Sequence, residues 1–135
     1  MRIVRIALNG WRNYDFVTAE FDPGVNVITG ENAQGKTNLL EAVYLLTGGR
    51  SFRTRFDKEM IGFDFSGAEI LADVFARGRE QTVKIALRRG QRKQIFQNGV
   101  KKTAAELSGA FAAVLFCPDD LNIIFGAEHR APHRL

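Results

Sequence analysis

The residues best suited to chemistry lie in the octapeptide GENAQGKT near the start of the chain. It fits the phosphate-binding pattern G-x-x-x-x-G-K-S/T at every fixed position. Gly30 and Gly35 allow backbone conformations that a side chain would forbid, and the N–H groups from about Asn32 to Thr37 can form a concavity for an anion. Lys36 would place its charge on the β- and γ-phosphates, and Thr37 would give its hydroxyl to Mg²⁺. The octapeptide therefore predicts a site for ATP with Mg²⁺.

The flanking residues give the octapeptide the local structure that such a site needs. Residues 25–29 read as a buried strand and residues 38–46 as a helix, so the octapeptide would join a strand to a helix N-terminus. This junction offers backbone N–H groups and the positive end of the helix dipole to a polyphosphate. The predicted core face of the helix consists of Leu39, Leu40, Val43 and Leu46. A chance match or a structural glycine turn is the alternative interpretation.

Other elements are predicted on either side of this unit. Residues 1–8 alternate as a strand, Asn9-Gly10 signals a turn, and residues 16–21 form a second strand. Gly48-Gly49 ends the helix, as glycine does at helix C-termini. The charged connection at residues 50–64 follows. Its predicted packing anchors are Phe52, Phe56 and Phe63.

Strand patterns dominate the region after residue 66. Residues 68–76, 82–87 and 93–97 predict an antiparallel meander. Asn98-Gly99 is a type I′ hairpin signal, after which the strand pattern resumes.

The last part of the chain returns to a helix and a core strand. Thr103 and Glu106 resemble a capping box that opens a short helix. Residues 112–116 then read as a central strand. A plain doubly wound sheet would keep alternating strand and helix, whereas here an antiparallel patch interrupts the order. This arrangement predicts an α/β phosphate-loop ATPase with a β-subdomain inserted after its first helix.

Composition bounds the class of protein. The chain has 135 residues with 45% hydrophobic and 25% charged residues, typical of one globular domain. No apolar run is long enough to cross a membrane, residues 1–5 lack a signal-peptide pattern, and Cys117 is the only cysteine. These features predict a cytoplasmic protein. The net charge of +4 is compatible with nucleic acid but does not establish it.

Several blocks of the sequence resemble the bacterial RecF family. The longest is NVITGENAQGKTNLLEAVYLL at residues 26–46, and GRSFRT continues it at residues 49–54. WRNY at residues 11–14 and LFCPDDL at residues 115–121 also match. The resemblance covers about residues 1–126, so we expect the N-terminal lobe of an ABC-type ATPase head, with a mixed sheet and an inserted antiparallel β-subdomain. Residues 127–135 diverge from the family pattern.

The resemblance implies a function in recombinational DNA repair and replication. RecF-like proteins are DNA-binding ATPases with heads related to those of SMC proteins. They work with RecO and RecR and help load recombinase at gapped or single-stranded DNA. ATP is expected to close two heads into a homodimer. In related heads the arginine of the first hairpin reaches the nucleotide phosphates, and Arg12 is the matching residue here; a solvated turn residue is the alternative.

Two sets of site residues follow from the motif and the resemblance. The residues expected to contact nucleotide, with Lys36 also catalytic, are Arg12, Gly30, Asn32, Ala33, Gln34, Gly35, Lys36, Thr37 and Asn38. The basic residues that flank the meander strands, and that could contact the DNA backbone, are Arg88, Arg89, Arg92, Lys93, Lys101 and Lys102. A solubilising sheet edge is the other interpretation of the basic set.

The machinery for hydrolysis is expected elsewhere in the family's sequence. Walker B, the signature motif and the switch histidine lie in the second half of family members, and none can be placed here. We therefore expect this chain alone to bind ATP without hydrolysing it. Two alternatives stay open. Asp119 or Asp120 could hold Mg²⁺ in a self-contained ATPase, or the chain could be a non-catalytic DNA- or partner-binding module with a relic phosphate loop.

Overall fold

Strands from distant parts of the chain join in one antiparallel sheet. The computed structural model describes residues 2–24, 26 and 33–110. The strands are β1 (Arg2–Trp11), β2 (Tyr14–Glu20), β3 (Gly67–Ala76), β4 (Arg79–Arg88), β5 (Gln94–Gln97) and β6 (Val100–Lys102). The helices are α1 (Ala33–Leu45), α2 (Ala104–Ala110) and a 3-10 helix at Asp57–Met60. The strands pair in the order β2-β1-β3-β4-β5-β6, so the predicted meander continues the sheet of the N-terminal hairpin.

The core lies on one face of this sheet, because apolar residues alternate along each strand. One row runs from Leu8 through Ile70 and Ile85 to Ile95, and each member pairs with the next. All four side chains are at most 3% exposed. Burying a side chain of this size contributes about 1.5 to 3 kcal/mol relative to exposure. Residues of α1 join the same core, so the sheet fixes the helix in place.

The turn predicted at Asn9-Gly10 is wrong. Both residues lie within β1, and the chain turns at Arg12 and Asn13 instead. Gly10 has φ +65°, and a Cβ there would lie 2.5 Å from the carbonyl oxygen of Gly67. Glycine therefore serves a close approach between β1 and the start of β3. The left-handed turn position is taken by Arg12, with φ +52°.

Helix α1 begins earlier than predicted, and its core face differs from the prediction at Leu40. It starts at Ala33, inside the octapeptide. Of the predicted core face, Leu46 is buried and Leu39 and Val43 pack against the core, as predicted. Leu40 is instead 42% exposed, and Glu41 and Leu45 are fully buried. The hydrophobic pattern alone missed this because Glu41 meets partners from distant segments. The predicted end is confirmed: Gly49 has φ +73°, and its N–H donates to the carbonyl oxygen of Leu45 at 2.7 Å.

Two of the three phenylalanines predicted to anchor the connection after α1 do not do so. Phe63 is 95% exposed and Phe56 is 53% exposed, so neither is a packing anchor. Met60 and Ile61 are buried instead, and Ile61 forms a β-bridge with Trp11. The connection is thereby fastened to the first hairpin.

The predicted hairpin and capping box are confirmed. Asn98 and Gly99 have φ of +53° and +81°, as a type I′ turn requires. The backbone N–H of Thr103 donates to Glu106 Oε1 at 2.8 Å, and the Glu106 N–H donates to Thr103 Oγ1 at 3.1 Å. Apart from Asn26, the strands predicted at residues 25–29 and 112–116 lie outside the described residues, and all described strand pairs are antiparallel.

Candidate nucleotide-binding site

The first turns of α1 carry the described part of the phosphate loop. Gly35 is buried, and Lys36 and Thr37 are partly buried. The first turn of the helix, at Ala33 and the residues that follow it, contains no acidic residue that would offset the positive end of the helix dipole. A helix start of this kind fits an anion. Gly30 and Asn32 lie outside the described residues, and for Ala33 and Gln34 the structure gives only their place in the helix.

The tip of the first hairpin clamps the start of α1. Trp11 is fully buried and donates its indole N–H to the backbone carbonyl of Asn38 at 2.9 Å. Tyr14 donates its hydroxyl to the carbonyl of Gly35 at 2.6 Å. The Asn38 side-chain amide donates to Asn13 Oδ1 at 2.6 Å. These contacts fix the orientation of the helix end that would face a phosphate.

Arg12, at the turn of this hairpin, lies against Glu41 of α1. Its Nε donates to Oε1 and its Nη2 to Oε2, both at 2.8 Å. Its backbone N–H donates to the carbonyl of Met60 at 3.0 Å. Backbone and side chain of Arg12 are thus both held, and a bidentate carboxylate pair is among the stronger charged hydrogen-bond arrangements.

Two residues of the following segment complete the surroundings of Glu41. Arg53 Nη1 donates to Glu41 Oε1 at 3.2 Å and to Asn38 Oδ1 at 2.6 Å. The Ser51 hydroxyl donates to Glu41 Oε2. The Glu41 side chain is 0% exposed, while those of Arg12 and Arg53 are 20% and 30% exposed. Two guanidinium groups therefore share one buried carboxylate, and the cluster carries an excess positive charge beside α1 at Asn38 and Glu41.

Sequence reasoning placed Arg12 near the site but missed its partner Glu41 and the other two donors to that carboxylate, Ser51 and Arg53. A signal existed for Glu41, because a glutamate three residues after Asn38 and four before Leu45 falls on a buried helical stripe. A charged residue in such a stripe requires partners. Nothing local in the sequence identified which residues supply them.

The predicted basic DNA-contacting residues do not form one surface. Arg89 donates to the carbonyls of Phe65 and Gly62 at 2.9 and 3.0 Å. Lys93 pairs with Asp57 at 3.3 Å. Lys101 pairs across the sheet with Phe96, and Lys102 with the buried Ile95, so the two lysines belong to different faces. Arg88, Arg92 and Lys101 are exposed.

The described residues set further limits on the site. No group of three or more His, Cys, Asp or Glu side chains among them is arranged to hold a metal ion. Asp119 and Asp120, the alternative Mg²⁺ residues, lie outside the described part of the chain. None of the helices in that part is long and apolar enough to span a membrane.

Comparison with known proteins defines the class to which this fold and site belong. The sequence matches the family described as AAA domain over residues 5–113, and the chain belongs to that family. It is 44% identical over 129 residues to the DNA replication and repair protein RecF of Symbiobacterium thermophilum. That alignment covers 93% of this chain and 34% of the relative. The predicted resemblance to RecF is confirmed, and the chain spans about a third of the length of the curated relatives it matches.

Solved structures confirm the predicted fold class. A structure described as the recombination mediator protein RecF–ATP in the RecFOR pathway matches with a TM-score of 0.83 and 36% identity. The match covers 98% of this chain and 36% of that one. A structure described under ATP-driven dimerization of SMC ATPases matches with a TM-score of 0.78 over 95% of this chain and 93% of that one. Because the two sequences are only 21% identical, this match shows a shared fold and nothing about a shared function. The fold is that of a phosphate-loop ATPase head lobe.

Proposed function

We propose that this chain is the ATP-binding lobe of a RecF-like DNA repair and replication ATPase. The observation that carries the proposal is the clamped start of α1, where Lys36 and Thr37 lie beside a hairpin that presents Arg12. The likeness to a RecF structure with ATP supports the same ligand. An anion at this place would meet the helix dipole, the lysine and the arginine together.

Each residue of the site has a proposed role. Lys36 and the loop amides hold the β- and γ-phosphates and stabilise charge on the transferring phosphoryl group. Thr37 gives its hydroxyl to Mg²⁺, which bound at this place would neutralise phosphate charge. Arg12 contacts the phosphates from the hairpin side. The remaining proposed nucleotide contacts are Gly30, Asn32, Ala33, Gln34, Gly35 and Asn38.

We propose that the chain binds ATP but does not turn it over alone. The attacking water needs a positioned residue that orients it or takes its proton. In the proposed intact protein that residue comes from outside this lobe. In the self-contained alternative Asp119 or Asp120 holds Mg²⁺, and this alternative predicts turnover that Asp120→Ala abolishes.

DNA binding and assembly belong to the proposed intact protein. ATP would close two heads into a homodimer, and DNA and RecO/RecR-like proteins would be its partners. The exposed basic residues Arg88, Arg92 and Lys101 support a contribution of this lobe to the DNA backbone contact. The interaction-module alternative predicts DNA binding that depends neither on nucleotide nor on Lys36.

Calorimetry with Mg-ATP tests the proposal, with turnover measured on the same samples. Lys36→Ala is compared with Lys58→Ala, a change of the same type at an exposed residue outside the loop. We expect binding by the wild type and by Lys58→Ala, loss of at least tenfold in affinity in Lys36→Ala, and no turnover. Equal affinity in all three proteins would contradict the site, and turnover by the wild-type chain would contradict the incomplete-lobe proposal.

A further inference from the structure

Glu41 is the most completely enclosed charged group in the described part of the chain. Its side chain is 0% exposed, and its carboxylate accepts hydrogen bonds from Arg12, Arg53 and Ser51. Burying a carboxylate is costly unless it is paired and hydrogen-bonded. The buried carboxylate lies one helical turn after Asn38, where the hairpin forms hydrogen bonds with the helix that carries the phosphate loop.

The donors around Glu41 are arranged unevenly. Arg12 contributes two hydrogen bonds through Nε and Nη2, which engages one edge of its planar guanidinium. A guanidinium has five N–H donors, so this geometry leaves three directed away from the carboxylate. The cluster also holds two arginines for one carboxylate. Since Arg12 and Arg53 are both partly exposed, the excess positive charge lies where a soluble anion can reach it.

We infer that Glu41 is a positioning residue that orients Arg12 toward the phosphates of the nucleotide. This inference rests on the proposed function, because Arg12 needs a phosphate to contact. Glu41 holds one edge of the guanidinium, while the backbone of Arg12 is fixed at φ +52° by its hydrogen bond to Met60. The side chain is thereby ordered before the ligand arrives, which lowers the entropy lost on binding.

Two other roles make different predictions. A purely structural brace would join the hairpin to α1 and would affect nucleotide binding only through the fold. A competitor would draw Arg12 away from the phosphates, and its negative charge would repel them. A double-mutant cycle separates a positioning residue from a brace, because the effect of a positioning residue disappears when Arg12 is removed. The sign of the effect separates it from a competitor, whose removal would raise the affinity.

The test measures Mg-ATP affinity by calorimetry for the wild-type chain, Glu41→Gln, Arg12→Ala and the double variant. Glutamine keeps the shape of Glu41 and removes its charge. We expect Glu41→Gln to weaken binding about tenfold in the wild-type background and less than about twofold in the Arg12→Ala background. Glu80→Gln, the same change at an exposed strand residue, should leave the affinity unchanged.

Stability and ligand controls keep the cycle interpretable. Thermal unfolding of each variant confirms that the protein is folded at the assay temperature. If Glu41→Gln unfolds, Ser51→Ala loosens the same carboxylate by one hydrogen bond and should show a smaller loss that also depends on Arg12. AMP, which lacks the β- and γ-phosphates, should bind Glu41→Gln and the wild type equally.

The outcomes distinguish this inference from the proposed function. Equal losses in both backgrounds would make Glu41 a structural brace, and a gain in affinity would make it a competitor; either result overturns the inference alone. If the wild-type chain binds no Mg-ATP, the proposed function and the inference fail together.

Discussion

Replacing Trp11 with phenylalanine should cost the protein a substantial part of its stability. Trp11 is 0% exposed, and its indole N–H donates to the Asn38 carbonyl at 2.9 Å. Loss of this buried hydrogen bond removes about 1 kcal/mol. The smaller ring leaves a gap, which adds about 1 to 2 kcal/mol, below the full cost of a Trp→Ala change. The total of about 2 to 3 kcal/mol corresponds to a fall of about 10 °C in Tm for a domain of this size.

Circular dichroism is the suitable assay for Trp11→Phe, because Trp11 is the only tryptophan and its fluorescence disappears in the variant. Phe63→Leu serves as the control, since Phe63 is 95% exposed and its replacement should change the free energy of unfolding by no more than about 0.5 kcal/mol. The reasoning is refuted if the two variants unfold at the same temperature. That result would mean that the hairpin does not clamp α1.

Three further changes test other parts of the fold by chemical denaturation. Gly62→Ala would bring a Cβ to 2.7 Å from the Phe65 ring and 2.9 Å from the Arg12 carbonyl oxygen. We therefore expect the free energy of unfolding to fall by about 1 to 3 kcal/mol. In the control Gly24→Ala the added Cβ has no atom within 4 Å, so its stability should be unchanged. Asn98→Ala loses the hydrogen bond to the Thr82 N–H at 2.9 Å and a residue suited to φ +53°, at a cost of about 1 to 2 kcal/mol. The backbone N–H at the helix cap lowers the pKa of Glu106 below its ordinary 4.5, so its stabilising contribution is present above that pH and is lost as the pH falls through the folded-state pKa. The stability difference between wild type and Glu106→Gln should therefore shrink on acidification, and a difference independent of pH would contradict this.

Local rules predicted the parts of the fold in which neighbouring residues decide the structure. The Asn98-Gly99 hairpin and the Thr103 capping box were predicted correctly because their geometry depends on residues within a few positions. The end of α1 at Gly49 follows the same logic, since a left-handed residue there satisfies a helical carbonyl.

Features set by distant residues could not be predicted in this way. Asn9-Gly10 has the composition of a turn, but β1 continues through it because Gly10 packs against Gly67 of a strand far along the chain. Phe63 is a large apolar residue of the kind that usually packs in a core, yet it is exposed, and the buried Ile61 forms the bridge with Trp11 instead. Propensity is overridden in both places by tertiary pairing.

The candidate site likewise contains residues that a local motif predicts and residues that only the tertiary structure brings together. Lys36 and Thr37 were recognisable from spacing alone, because the chemistry of phosphate binding fixes the order of residues in one short segment. The cluster around Glu41 draws on the hairpin, α1 and the segment after it, so only the folded chain brings its members together.

The most direct test of the central claim is an NMR titration of the isotope-labelled chain with Mg-ATP. The account predicts that the largest shift changes fall on the backbone amides of Gly35, Lys36 and Thr37 and on the Arg12 Nε–H, with little change in β5 and β6. Saturable changes centred on β5 and β6, with the start of α1 unaffected, would contradict the claim that nucleotide phosphates bind at this helix.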